Sequence, residues 1–154
     1  MADLKLFQQY LNEHHNFNTY NHIRFTVVEE GYCECEVELT QNGLNPQGVA
    51  HGSLLFTLCD CVTGVATAST GRGMLTQSAT IHYLRPGSGK KLLAKSRLIK
   101  SGRTTALCVG EVFDEQGRML VTSSFEVFYT SDTLVLPERN PDGTWSGGDG
   151  TWKP

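Results

Sequence analysis

Asp60 is a carboxylate in a costly position. It lies within His51 to Ser69, HGSLLFTLCDCVTGVATAS, among Leu54, Leu55, Phe56, Leu58, Cys59, Val62, Val65, Ala66 and Ala68. Three and four residues away stand Phe56, Thr57, Thr63 and Gly64, and no Lys or Arg occurs between Arg24 and Arg72. A low-dielectric site without a cation disfavours a charged acid, so the residue needs a reason to be there. One reason is internal, with backbone groups or the hydroxyls of Thr57 and Thr63 satisfying it. The other is chemical, with Asp60 as a general base or a nucleophile, and the cost of burial favours this second reason.

A second set of residues, Asn45-x-x-Gly48-x-x-His51-Gly52-Ser53, leads into the same stretch. The first residue of a helix keeps a free N–H backed by the helix dipole, which makes Gly52 a natural donor to an oxygen that becomes an oxyanion. Asn45 is either a side-chain donor to that oxygen or a loop residue bonding its own backbone, and both roles stay open here. His51 is expected to organise the loop and the helix start.

Net charge is −3, but its distribution is lopsided. Residues 1–60 hold eight acids and two bases, residues 61–110 eight bases and no acid, and the remainder eight acids and three bases. Arg85, Lys90, Lys91 and Arg103 in the basic segment are the expected donors to a phosphate-bearing ligand, against the plain alternative of a solvated face. An acidic chain argues against a nucleic-acid partner. His14, His15 and His22 have no ligand partner at metal spacing, and the alternating Glu34, Glu36 and Glu38 read as a solvent face. Cys33, Cys35, Cys59, Cys61 and Cys108 suit neither a disulfide framework nor a zinc knuckle, so small apolar filler is their expected role.

These groups need elements to hold them. The length of 154 residues suits one domain, and with no signal-peptide pattern or uninterrupted apolar span the expectation is a cytosolic protein without a membrane partner. Asp3 is placed to cap a short helix running to His14 with Leu4, Phe7 and Leu11 on one stripe. From Arg24 the period changes to two, giving two strands, Phe25–Val27 and Cys33–Leu39, around a turn at Glu30 and Gly31. Residues 51–69 read as a helix apolar at every angle, hence buried on all sides. Four strands follow, roughly 75–84, 91–100, 104–113 and 119–129, whose short connectors predict a meander of antiparallel neighbours. A sheet curled around a central helix is an α+β architecture. Residues 131–154, with Asp-Gly-Thr-Trp twice, read as a flexible extension whose Trp145 and Trp152 are placed to dock on a neighbouring subunit.

The helix-entry pattern, with Asp60 eight residues beyond Gly52, together with Tyr83-Leu84-Arg85-Pro86-Gly87, resembles the hotdog-fold acyl-CoA thioesterases of the phenylacetate-degradation type over about residues 20–130. Ser53 stands where that pattern carries a second glycine. The resemblance implies a hotdog domain over 1–130, dimers joined edge to edge, tetramers made of two dimers, and hydrolysis of an acyl-CoA thioester without metal or organic cofactor. It maps the working residues onto Asn45, His51, Gly52 and Asp60, with Thr76 at the position of an assisting serine in some relatives. Eight residues of helix span about 12 Å, too far for Asp60 to act on a carbonyl held at Gly52 of the same chain, so each site is expected to draw on two subunits. The substrate expected is a small or medium acyl-CoA, aromatic groups included. The alternatives are an acyl-carrier-protein thioesterase, a non-catalytic acyl-CoA sensor and a hotdog hydratase; the last lacks a second acid or base in the entry motif.

Overall fold

The computed structural model describes residues 3–146. Its elements are α1 (Leu4–Glu13), α2 (Phe17–Tyr20), β1 (Arg24–Glu29), β2 (Tyr32–Glu38), a 3-10 turn (Gln41–Gly43), α3 (Gly52–Ala68), β3 (Gly73–Tyr83), β4 (Lys91–Ser101), β5 (Thr105–Asp114) and β6 (Met119–Ser131). Asp3 caps α1 by accepting from the Lys5 and Leu6 amides at 3.0 and 3.1 Å. The Gln8 and Asn12 side chains both donate to the Phe25 carbonyl at 2.9 Å, which straps α1 across β1.

The six strands form one antiparallel sheet in the order β1-β2-β4-β5-β6-β3. This corrects the expected four-strand meander. Of these four strands only β4, β5 and β6 follow one another; β3 lies outside β6 at the far edge, while β4 returns to pair with β2. The seven residues between β3 and β4 make this crossing over the N-terminal end of α3. The Leu84 and Arg85 amides donate to the Leu120 carbonyl at 2.8 and 3.2 Å, and the Ala50 amide donates to the Gly87 carbonyl at 2.8 Å. A Cβ on Gly87 would stand 3.0 Å from both Ala50 and Leu120, so a glycine lets the crossing lie flat against the helix entry.

The core lies between the sheet and α3, where Leu58, Cys59, Val62 and Ala66 are inaccessible to water and Leu55 nearly so. Buried polar groups on the helix are satisfied locally: Thr63 and Thr67 donate to the carbonyls four residues back at 2.8 and 2.9 Å. Ser96 on β4 donates to the Val62 carbonyl at 2.7 Å. Four of the five cysteines are buried and all are free, and burial pushes the Cys59 thiol up to about 11 and Cys108 up to about 12, consistent with inert filler. Among the described residues no helix is long and apolar enough to cross a membrane.

After β6 the chain turns back towards α1. The first Asp-Gly-Thr-Trp closes a turn, with an Arg139–Trp145 bridge and Asp142 accepting from the Thr144 amide at 2.9 Å. Trp145 packs edge-on against Tyr10, with ring centroids 5.4 Å apart, and Arg139 pairs with Glu13 at 3.2 Å. Within the chain Trp145 docks on α1, which offers an aromatic face within reach of the tail. Trp152 and the second repeat lie outside the described residues.

Gly110 fixes how closely β5 approaches α3. A Cβ there would meet Thr63 Cγ2 at 2.9 Å and the Cys59 carbonyl oxygen at 3.3 Å, both held by the helix. Gly110→Ala is expected to lower stability by about 1–3 kcal/mol, read as a lower urea midpoint at unchanged slope.

Candidate active site

His51 is the N-cap of α3, its Nδ1 accepting from the Ser53 amide at 3.1 Å. The Ser53 hydroxyl lies 2.6 Å from the same nitrogen, so the serine at the glycine position reinforces the cap. A neutral ring accepting at Nδ1 carries its proton on Nε2. Gly52, the first helical residue, donates its N–H to nothing among the described residues. That N–H is the expected free donor, at the positive end of a helix of 17 residues.

Asn45 uses its side-chain oxygen locally, accepting from the Gln47 and Val49 amides at 3.0 and 3.2 Å. Oδ1 holds the loop, and Nδ2, with only a 3.4 Å contact to Gln47, keeps donor capacity. Asn45, Gly52, Tyr83 and Arg85 line one cleft of about 310 Å³, floored by Ala50 and Leu55.

Asp60 lies elsewhere on α3. Its Oδ1 accepts from the Thr76 hydroxyl at 2.7 Å, and no cation pairs with it among the described residues. Thr57 and Thr63 do not satisfy the carboxylate, since the Thr63 hydroxyl bonds backbone carbonyls. The expected burial on all sides needs correction. Asp60 is half-buried, on a stripe with exposed Ser53 and Phe56 and half-buried Gly64. These residues recur every three or four positions and mark one helix face that the chain's own sheet leaves open. The sheet stops short because β3 is its edge, and residues 75–80 of that strand are exposed.

The four phosphate-ligand candidates do not share one surface in the single chain. Arg85 lines the cleft with Gly52 and donates to the Met119 carbonyl at 2.8 Å, keeping most of its guanidinium free. Lys90 is exposed on the same crossing segment. Lys91 pairs with Glu36 at 3.0 Å and lines a different, larger hollow with Tyr20, His22 and Arg24. There Lys91 and Arg24 hold the Glu36 carboxyl below its ordinary pKa. Arg103 sits beyond the other end of α3, where its carbonyl accepts from Arg72 at 2.7 Å. Sequence separation hid this, because the strand crossing sends neighbouring connectors to opposite ends of the helix.

Two residues gain importance from the coordinates. Phe56 stands midway between Gly52 and Asp60 on the open stripe, 37% exposed, and Tyr83 donates its hydroxyl to the Gly52 carbonyl at 3.1 Å. The spacing of 52, 56 and 60 was readable as a stripe once its outward direction was known. Tyr83 gave only its place at a strand end.

Comparison with known proteins follows the same lines. The Thioesterase superfamily model matches residues 47–121. The acyl-coenzyme A thioesterase PaaI of Escherichia coli is 30% identical over 90 residues, 58% of this chain and 64% of PaaI. The structure of smu.793 from Streptococcus mutans bound to acetyl CoA superposes with a TM-score of 0.73 at 29% identity, covering 80% of this chain and all of that one. A hypothetical thioesterase protein from Streptococcus pneumoniae solved with coenzyme A gives 0.70 at 28% identity, covering 73% and 88%. Structures of that protein also exist with an aspartate and with a threonine sixteen positions further on changed to alanine, the separation of Asp60 and Thr76 here. A six-strand sheet around one long helix, this entry motif and these relatives agree: residues 47–121 are a thioesterase-superfamily domain of hotdog fold, similar to the PaaI-like thioesterases.

Proposed function

We propose that the chain hydrolyses a small or medium acyl-CoA thioester at composite sites shared by two copies. In each site Asp60 comes from one copy, and the Gly52 N–H and Asn45 amide come from the other. The observation that carries this reading is the Asp60–Thr76 pair on the uncovered stripe of α3. A hydroxyl fixes one carboxylate oxygen and leaves the other free for chemistry.

The separation of the two halves supports a second copy. Eight residues of helix put Asp60 about 12 Å from the Gly52 N–H along the axis, beyond the reach of a short side chain. An open 11-residue edge strand such as β3 invites pairing with another strand, and a two-fold axis supplies an identical one. β3 touches both halves, through Thr76 at Asp60 and through Tyr83 at Gly52. Antiparallel pairing of two such strands turns the Thr76 end of one towards the Tyr83 end of the other. The same exchange carries the Arg103 end of one copy towards Arg85 and Lys90 of its partner, giving the CoA phosphates cations from both. Two dimers joining into a tetramer is part of the same proposal, and the outer sheet face offers exposed Leu75, Ile99 and Phe128 for it.

The thioester carbonyl oxygen accepts from Gly52 N–H and Asn45 Nδ2, which stabilise negative charge as the carbon becomes tetrahedral. As a base, Asp60 takes a proton from water while the water oxygen bonds to carbon. The C–S bond then breaks and the CoA sulfur leaves with its electron pair, taking up a proton. As a nucleophile, Asp60 bonds to the acyl carbon, CoA leaves, and water opens the mixed anhydride. His51 stays with the helix cap.

A thiol-release assay across a panel of acyl-CoA esters tests the reading. Asp60→Asn keeps the Thr76 bond and is expected to lower kcat by about 10²–10⁴-fold with native melting; near-normal turnover ends the proposal. Asn45→Asp retains the acceptor that holds the loop but loses the donor, so kcat is expected to fall about a hundredfold while melting changes little. Co-expression of these two variants, each nearly inactive alone, should restore about a quarter of wild-type activity, since half the random dimers carry one intact site. No recovery in verified mixed dimers would mean that both halves of the site belong to one chain.

A further inference from the structure

The free N–H of Gly52 has value only if it points at the substrate oxygen, and glycine is the residue least able to hold a direction by itself. The His51 cap restrains Ser53, one residue further on. The group that restrains Gly52 is Tyr83, the last residue of β3. It faces α3 from a position registered with buried Val121, and its hydroxyl donates to the Gly52 carbonyl at 3.1 Å. In an α-helix that carbonyl also receives the N–H four residues on, so Tyr83 occupies its second lone pair. Its ring lies along the Gly52 α-carbon, with atoms 3.5–3.7 Å from where a Cβ would be.

We propose that Tyr83 is a positioning residue for thioester hydrolysis: its hydroxyl and ring clamp the first residue of α3 so that the Gly52 N–H stays aimed into the cleft shared with Asn45. The inference rests on the thioesterase reading above. A phenol that only closed the end of the core could spend its hydroxyl on water, being 52% exposed; here it reaches the first residue of α3, whose N–H has no partner among the described residues. Partial burial raises the Tyr83 pKa, with a smaller contribution from Cys59, so the phenol keeps its proton at neutral pH. The clamp also links the helix start to the open edge strand, so pairing of β3 with a second copy would steady the oxyanion donor.

Tyr83→Phe keeps the ring and removes only the hydroxyl. With a short acyl-CoA, kcat is expected to fall about tenfold, less than for loss of a direct oxyanion donor, with KM within about twofold and melting nearly unchanged. The same kcat ratio is expected with the acyl-N-acetylcysteamine thioester, which lacks the nucleotide, because the effect acts at the carbonyl. Tyr83→Leu removes ring and hydroxyl and should fall below Tyr83→Phe in kcat, giving the order Tyr, Phe, Leu. Wild-type kcat in Tyr83→Phe overturns the proposal, as does a loss confined to KM or to the CoA ester. Failure of the wild type to release thiol from any ester would instead defeat the thioesterase reading, and that outcome is visible before any variant is made.

Discussion

A long helix apolar over most of its circumference asks for cover on several sides, and the rest of the structure follows from how that demand is met. The sheet curls over the side carrying Leu58, Cys59, Val62 and Ala66. It does not reach the side carrying Ser53, Phe56, Asp60 and Gly64. Leaving an exposed Phe56 and a half-buried acid on the main core helix makes sense if something else completes the cover. The order of strands sets where the gap falls. With β3 at the edge, the strand bordering the uncovered stripe is also the one with unpaired backbone groups.

The crossing from β3 to β4 places the cleft at one end of the helix. It carries Tyr83, Arg85 and Gly87 over the α3 N-terminus, where Gly87 packs on Ala50 and the Leu84 and Arg85 amides bond to Leu120. The loop that ends at His51 approaches from the other side and is held by Asn45 Oδ1. Two irregular segments, each pinned by backbone hydrogen bonds, therefore wall a cleft whose floor is the rigid start of a helix. Loops positioned in this way bind ligands without losing geometry, because their ordering cost has already been met during folding.

Much of this was legible in the sequence, and the exceptions have a common cause. The start and end of α3, the cap at His51, the capping role of Asp3 and the extents of the strands follow from local pattern, and each appears within two residues of its expected place. The free N–H at Gly52 was equally local. Strand neighbours were not, because a connector of seven residues fits a hairpin or a crossing over a helix end, and only the tertiary packing of Gly87 decides between them. The scatter of Lys91 and Arg103 away from Arg85 is a consequence of the same choice. The partner of Asp60 was reachable only through the resemblance, which maps Thr76 among the working residues: the two join across sixteen residues and two elements, a relation that periodicity does not encode.

The nature of that partner bears on why an acid is tolerated here. A Lys or Arg beside Asp60 would balance its charge and hold its oxygens in an ion pair, making it a poorer base and a poorer nucleophile. A threonine hydroxyl orients the carboxylate and satisfies one oxygen without neutralising it. The opposite strategy appears on the outer face of the same sheet, where Glu36 lies between Arg24 and Lys91 with its pKa lowered. One chain thus keeps two carboxylates in two electrical settings, Glu36 paired with cations and tying strands together, and Asp60 without a cation among the described residues on the open stripe. The long cation-free run between Arg24 and Arg72 is the sequence-level expression of that division, since it leaves no cation on α3 itself that could close around Asp60.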